Sequence, residues 1–216
     1  MGPGRPRRRW LLAAMAIALL LAGALQACRV NGASGAGATN VSASAAQVKF
    51  TAGTALDEAP APEFALRDQT GTVDDLQQMR GHVVILTFLD AVCTTECPIT
   101  AQYLDWTAQF LGTDADKVIW LAMSVNPTNT VAQAETFMHK NQVQVPLRLL
   151  MGSKAELAPL WKDYHITVQP GADGDVEHTL GLYLIDAQGR EREWVDAGYD
   201  PRALSRDVQA LWHAGD

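Results

Sequence analysis

The chain has 216 residues, of which 48% are apolar and 19% are charged, and its formal net charge is −7. This length fits one ordinary domain with additional segments. The acidic balance argues against nucleic acid and against anionic lipid as partners.

The N-terminal segment has the features of a bacterial lipoprotein leader. Four arginines between Arg5 and Arg9 precede an apolar run from Trp10 to Leu25, which is short for a stable membrane span. The run ends in Leu25-Gln26-Ala27-Cys28, which resembles a lipobox. Residues 1–27 are therefore predicted to be a signal peptide and Cys28 a lipidated N-terminus. The alternative is an uncleaved anchor helix, and both hypotheses place the remaining chain outside the cytoplasm and on a membrane.

Cleavage before Cys28 would leave 189 residues and lower the net charge to −11, because the leader contains four Arg and no acid. Residues 28–48 are small and polar, so they cannot bury enough surface to order themselves. They are predicted to be a flexible tether, and residues 49–216 the folded head.

Strands and helices are predicted to alternate along the head. Apolar β-prone runs predict buried strands, and amphipathic runs predict helices. The expected elements in chain order are strand 62–66, strand 83–89, helix 99–111, strand 118–125, helix 131–141, strand 146–151, helix 153–164, loop 169–175, strand 180–185, a short strand around 193–195 and helix 201–214. This order predicts an α/β domain of three layers with a partly parallel sheet.

Large apolar side chains recur at helical spacing in the first predicted helix. They are Ile99, Tyr103, Trp106 and Phe110. Trp106, Trp161 and Trp212 all have apolar neighbours on their helices, so we expect these three indoles to pack in the core.

Cys93 and Cys97 are the candidate reactive residues. They lie between a predicted central strand and the start of a helix, where strand ends place functional sites and the helix dipole favours a thiolate. Three residues separate them, whereas disulfide oxidoreductases of the thioredoxin type use two. The pair is consistent with a local structural disulfide, with redox chemistry or with binding of a soft metal ion.

His178 is the histidine best placed to join the two cysteines, because it follows the acidic loop and begins the apolar strand at Leu180, so it should lie at a sheet edge near the site. The alternative for His178 is an ordinary exposed or hydrogen-bonded residue. The other histidines are expected at the surface; they are His82, His139, His165 and His213. Asp173, Asp175 and Glu177 form either a solvated acidic loop or, less favourably, a weak cation site.

Several segments together resemble the SCO/SenC family over residues 62–212. They are FALRDQTG, VVILTFL, Cys93-x-x-x-Cys97-Pro98, Ser124-Val125-Asn126-Pro127, and Glu177-His178-Thr179 followed by LYLID. The chain differs from the common family pattern at 90–92, in the insert 94–96, and at Asn126 and Glu177. These differences bear on partner recognition more than on ligation.

The resemblance implies a thioredoxin-like fold and a copper site formed by Cys93, Cys97 and His178. It also implies delivery of copper to the dinuclear copper centre of cytochrome c oxidase, whose copper-bearing subunit would be the partner. Two thiolates and an imidazole suit Cu(I) and tolerate Cu(II), although zinc accepts the same ligands. The second hypothesis is a membrane-tethered thiol–disulfide oxidoreductase that uses Cys93 and Cys97 but not His178. A peroxidase is disfavoured, since no Pro-x-x-x-Thr-x-x-Cys pattern surrounds Cys93.

Overall fold

The computed structural model describes residues 48–171 and 176–215. Within these residues the chain forms strands and α-helices in the alternating order that the sequence predicts. The strands are β1 (Thr54–Ala55), β2 (Ala65–Arg67), β3 (Val73–Asp75), β4 (Val83–Leu89), β5 (Val118–Ser124), β6 (Arg148–Leu150), β7 (Val168–Pro170), β8 (Val176–His178), β9 (Gly181–Ile185) and β10 (Glu191–Asp196). The helices are α1 (Glu96–Leu111), α2 (Val131–Lys140), α3 (Lys154–Asp163) and α4 (Pro201–Gly215).

A six-stranded mixed sheet forms the middle layer, in the order β1-β10-β9-β4-β5-β6. The strands β4, β5 and β6 are parallel, whereas β9 is antiparallel to β4 and β10 is antiparallel to β9. The β4–β5 register runs from Val83 opposite Val118 to Leu89 opposite Ser124, so both strands end at the same sheet edge. The chain leaves β4 there and enters the cysteine segment.

Both faces of the sheet are covered by apolar side chains, which explains why β4 reads as a continuous apolar run. Val83, Ile85 and Leu89 face one core, which also contains residues of α1, α2 and α4. The alternate residues of β4 face a second core, to which α3 contributes Leu157 and Trp161. This three-layer arrangement confirms the predicted thioredoxin-like α/β fold.

Most of the predicted elements occur within a few residues of their expected bounds. Ser153 caps α3 as predicted, because Glu156 Oε2 accepts hydrogen bonds from the Ser153 amide at 2.8 Å and from its hydroxyl at 2.7 Å. The sheet includes residues before the first predicted strand, since β1 pairs with β10.

The prediction for the apolar face of α1 was wrong. Ile99, Trp106 and Phe110 are 49%, 39% and 41% exposed, respectively, so Trp106 is not a core residue. The side chains that α1 buries are smaller or polar, and include Cys97, Ala101, Leu104, Thr107 and Leu111. Trp161 is buried and Trp212 packs against the core, as expected.

The prediction of a simple loop at 169–175 also needs correction. Strands β7 and β8 form an antiparallel hairpin in which Val168 pairs with His178. Each strand has only three residues, and the first ends at Pro170 and is followed by Gly171, so periodicity gives little signal.

Several predictions concern residues outside the described part of the chain. They are the signal peptide 1–27, the lipidated Cys28, most of the tether, and Asp173 and Asp175. No helix within residues 48–171 and 176–215 combines the length and apolar character needed to cross a bilayer.

Candidate metal centre

The cysteine segment begins at Asp90, directly after β4, and its backbone is fixed by a buried polar network. The Asp90 carboxylate is almost fully buried and accepts hydrogen bonds from Asn126 Nδ2 at 3.1 Å, Asn129 Nδ2 at 2.8 Å and the Val92 amide at 3.1 Å. The Asn129 amide oxygen in turn accepts from the Ala91 backbone at 3.0 Å. The network therefore joins the ends of β4 and β5 beneath the cysteines.

Sequence reasoning noted Asp90 and Asn126 only as differences from a family pattern and did not assign them a role. The sequence did contain a signal for this network. Asp90 directly follows the buried strand β4, and Asn126 follows the neighbouring parallel strand β5. Because the ends of parallel neighbours meet at one edge, these two polar residues could have been paired.

Cys93 and Cys97 are neighbours at the start of α1, and both thiols are free. Cys93 is half-buried, whereas Cys97 is 1% exposed. The Cys97 amide donates to Cys93 Sγ at 3.4 Å, and the Asp90 amide donates to Cys97 Sγ at 3.4 Å. A backbone amide of the first turn of α1 thus points at the Cys93 sulfur, and the amide that follows β4 points at the Cys97 sulfur, and such donors favour a thiolate.

The two thiols have opposite acidities. A hydrogen bond from the Cys97 thiol, together with the Cys97 amide and the Thr95 backbone and hydroxyl, lowers the pKa of Cys93 to about 5. The same hydrogen bond to Cys93 raises the pKa of Cys97, and burial raises it further. Cys93 is therefore the thiolate at neutral pH and Cys97 is the proton-bearing partner.

His178 lies at the end of β8, in the hairpin and not at the start of β9 where the sequence placed it. Its Nδ1 is 2.8 Å from the Thr179 carbonyl oxygen, which can only accept, so Nδ1 carries the proton and Nε2 is the free nitrogen. Burial lowers the pKa of His178, although the Thr179 carbonyl and the charges of Cys93 and Asp90 oppose this shift. The imidazole is therefore neutral at pH 7, which is the form that ligates metals.

A cleft of about 330 Å³ brings Cys93 and His178 together. Asp90, Glu96 and Glu177 also line it, and Cys97 lies behind Cys93. Within the described residues, no three His, Cys, Asp or Glu side chains are grouped closely enough to hold an ion as they stand. The donor set nevertheless fits a soft ion, since the Cys93 sulfur and the neutral His178 imidazole face one cleft and Cys97 lies next to Cys93.

The other four histidines are exposed, as predicted. Glu177 is exposed at the rim of the cleft, which agrees with a solvated acidic position. Of the three predicted site residues, Cys93 and His178 line the cleft, and the Cys97 amide donates a hydrogen bond to the Cys93 sulfur.

Solved structures with this fold include several relatives. The structure of Bradyrhizobium japonicum ScoI with copper bound is 27% identical, with a TM-score of 0.62, and the match covers 71% of this chain and 99% of that chain. A SCO1/SenC family lipoprotein from Bacillus anthracis is 21% identical, with a TM-score of 0.63 and coverage of 74% and 98%. BsSco, described as a member of the Sco family of cytochrome c oxidase assembly proteins with a disulfide switch, is 19% identical, with a TM-score of 0.62 and coverage of 72% and 94%.

No curated protein matches the chain. The sequence profile of SCO1/SenC, however, matches residues 53–213, which is nearly the whole head. The match includes both cysteines, His178 and the strands that position them. The chain belongs to the SCO1/SenC family.

Proposed function

We propose that the chain binds copper through Cys93, Cys97 and His178 and delivers it to, or prepares the thiols of, the dinuclear copper centre of cytochrome c oxidase. The observation that carries the proposal is the shared cleft, in which the Cys93 sulfur and the His178 imidazole face one space with Cys97 beside Cys93. The copper-bearing subunit of the oxidase is the partner. Copper is cargo in this role, so the chain acts as an assembly factor.

The chemistry of the three residues supports copper as that cargo. Two thiolates favour Cu(I), and an imidazole nitrogen lets the same set accept Cu(II). Cys93 is already ionised, while binding at Cys97 must displace its proton. The Nδ1–H bond to Thr179 fixes the tautomer that presents Nε2. A site with three protein ligands leaves a position at which a recipient ligand can enter.

Similarity supports the proposal as well. The B. japonicum relative, at 27% identity over nearly its whole length, holds copper. The lipobox-like segment ending at Cys28 and the B. anthracis relative named a lipoprotein support a membrane tether outside the cytoplasm. We therefore propose that Cys28 is lipidated and that residues 29–48 link the membrane to the head.

Copper binding by the reduced protein tests the metal assignment. We expect about one copper per chain, and we expect His178→Ala to weaken binding by roughly 100-fold. His165→Ala is the matched control, because His165 is exposed and outside the cleft. Equal copper binding by the wild type and His178→Ala would remove His178 from the site.

A second function, thiol–disulfide exchange, is favoured by the different acidities of the two thiols. The Cys93 thiolate would attack a partner disulfide, forming a mixed disulfide and releasing one partner thiolate. Cys97, after losing its proton to solvent, would then attack the Cys93 sulfur, which releases the second partner thiolate. Two electrons pass to the partner, which becomes a dithiol, and the Cys93–Cys97 disulfide remains.

A trapping experiment separates the two functions. Cys97→Ser removes the resolving thiol, so an oxidoreductase should accumulate a mixed disulfide between Cys93 and its substrate. Unchanged disulfide reduction by His178→Ala, together with no copper binding by the wild type, would establish the redox function in place of copper delivery.

A further inference from the structure

The exposed apolar side chains of the head are concentrated beside the cysteines. Six large apolar side chains of the described residues are 38% exposed or more, and four of them belong to the cysteine segment or to α1. They are Val92, Ile99, Trp106 and Phe110. Ile99, Tyr103, Trp106 and Phe110 recur at helical spacing and form one stripe, which we call the α1 patch. From Ile99 to Phe110 the patch extends about 16 Å along the helix.

The α1 patch is ordered by aromatic contacts. The Tyr103 ring lies 5.3 Å from the Trp106 ring, and it contacts Tyr199 edge-on at 5.4 Å. Rings held against one another lose little conformational entropy when a partner covers them, so they suit a binding surface.

A second cleft lies beside the α1 patch. It adjoins the cleft that Cys93 and His178 line, which we call the copper cleft. It has a volume of about 220 Å³ and is lined by Ile99, Tyr103, Tyr199 and the β9 residue Leu182. Glu96 lines this cleft and the copper cleft, so the two openings adjoin at the start of α1. A volume of this size accommodates one large apolar side chain from another molecule.

Charge is distributed unevenly along the patch. Glu96 and Glu177 are exposed at the cysteine end, where both line the copper cleft. At the other end the exposed Arg202 guanidinium lies 4.3 Å from the centre of the Phe110 ring. The complementary surface would be basic near the cysteines and acidic near Phe110.

We infer that the α1 patch is the docking surface for the protein that receives copper or electrons from Cys93, an inference that rests on the proposed function. A recipient must bring its own ligands or sulfurs into contact with Cys93, so it must cover the adjoining start of α1. The recipient that fits is a folded domain with an apolar side chain for the second cleft and a basic side chain opposite Glu96. A membrane surface fits poorly, because anionic headgroups would face Glu96 and Glu177.

The test uses the soluble dinuclear-copper domain of the oxidase subunit from the same organism. Its affinity for the copper-loaded protein and the rate of copper transfer are measured for Ile99→Glu and Trp106→Glu. We expect each substitution to raise the dissociation constant of the complex roughly tenfold or more. The recipient concentration that gives half the maximal rate of copper transfer should rise by the same factor. The maximal transfer rate and the copper affinity should stay unchanged, since neither side chain is a proposed ligand.

Val73→Glu is the matched control, because Val73 is 50% exposed on β3 and carries the same change of charge. Equal thermal unfolding of all variants verifies that the substituted chains fold.

Wild-type affinity of both patch variants would overturn the docking inference and leave copper transfer intact. If the recipient domain binds the wild type more tightly than the patch variants but receives no copper, the proposed function is overturned and the docking surface is supported. Patch-dependent self-association, or patch-dependent binding to anionic vesicles without the recipient, would also overturn the inference.

Discussion

Cys93 precedes α1 and Cys97 lies in its first turn, and the two thiols have different environments. Cys93 opens to the cleft, whereas Cys97 is buried beneath it and receives the Asp90 amide. Because the nucleophile in thiol chemistry is the thiolate, the exposed and acidic Cys93 is the first residue to react. Cys97 is shielded from reagents in solution, and in the folded protein its thiol can react only with the adjacent Cys93 sulfur or with an ion bound there.

Alkylation of the metal-free reduced protein measures this difference. Cys93 should react with iodoacetamide with a midpoint near pH 5, and Cys97 should react only when the protein unfolds. Mass spectrometry of the peptides separates the two sites. Cys97→Ala should shift the Cys93 midpoint upward, because the hydrogen bond from Cys97 is the largest cause of the low pKa. A Cys93 midpoint above pH 8 in the wild type would contradict this assignment.

Asp90 is the residue that we expect to matter most for the stability of the site. Its carboxylate accepts hydrogen bonds from two side-chain amides and one backbone amide in a buried position. Asp90→Ala leaves these donors without an acceptor and should lower the free energy of unfolding by about 2–4 kcal/mol. Urea denaturation measures the loss.

Asp163→Ala is the control for that substitution, because Asp163 is exposed at the end of α3. It should change the free energy of unfolding by less than about 0.5 kcal/mol. A similarly small effect of Asp90→Ala would mean that water replaces the lost carboxylate without cost.

At the scale of elements, burial of whole strands was predictable and the orientation of a helix was not. A central strand such as β4 has apolar residues on both faces, so its sequence alone identifies it. In α1, two sets of residues have helical spacing. The set with the larger side chains was predicted to be buried, but it is the exposed one. Ala101 and Thr107 belong to the stripe that α1 buries, and both are fully buried, whereas Trp106 is 39% exposed. Only the tertiary spacing of the layers decides between the two stripes.

The candidate site could be predicted as a set of residues but not as a geometry. The cysteines follow a central strand, and the rule that sites lie at strand ends locates them. His178 reaches the cleft through the short β7–β8 hairpin, and three-residue strands leave no detectable periodicity. The tautomer of His178 also depends on a backbone carbonyl that no sequence pattern specifies.

A carboxyl pair joins β10 to α4 and holds the N-terminal segment of the head. Glu193 is fully buried, and within the described residues its two carboxyl oxygens have no donor. The adjacent Asp207 accepts from the Thr51 and Ala52 amides at 2.7 and 2.6 Å and from the Thr51 hydroxyl at 3.0 Å. A proton on Glu193 would make it a donor to Asp207. Burial and the Asp207 charge accordingly raise the pKa of Glu193 to about 8.

This pair should make the protein less stable as pH rises. Between about pH 5 and pH 8 the folded state keeps a proton on Glu193 that the unfolded state has lost, so the free energy of unfolding falls with pH. The loss attributable to Glu193 is on the order of 5 kcal/mol. Glu193→Gln keeps a donor to Asp207 without a titratable group and should flatten the curve. If the free energies of unfolding of the wild type and Glu193→Gln, measured by urea denaturation, change with pH in parallel, Glu193 is not protonated in the folded state over this pH range.

At the scale of the whole molecule, the fold places the first described residues and the cysteines on one side of the sheet. Val48 and Phe50 pack against the same core as α1 and α4, and the Asp207 hydrogen bonds fix the next two residues. A tether that precedes Val48 would therefore attach to the layer that carries the α1 patch. Such a tether would keep the head near the proposed membrane-embedded recipient and would raise its effective concentration there.

The tether hypothesis depends on Cys28 and is tested there. In cells, the wild-type protein should incorporate radiolabelled palmitate and fractionate with the membrane, because the acyl chains attached at Cys28 would insert into the bilayer. Cys28→Ser should lose the label and block cleavage at residue 27, which leaves a longer chain. Cys97→Ser is the control, since it removes a thiol without touching the lipobox. Wild-type protein of full length without label would instead identify residues 10–25 as an uncleaved anchor helix.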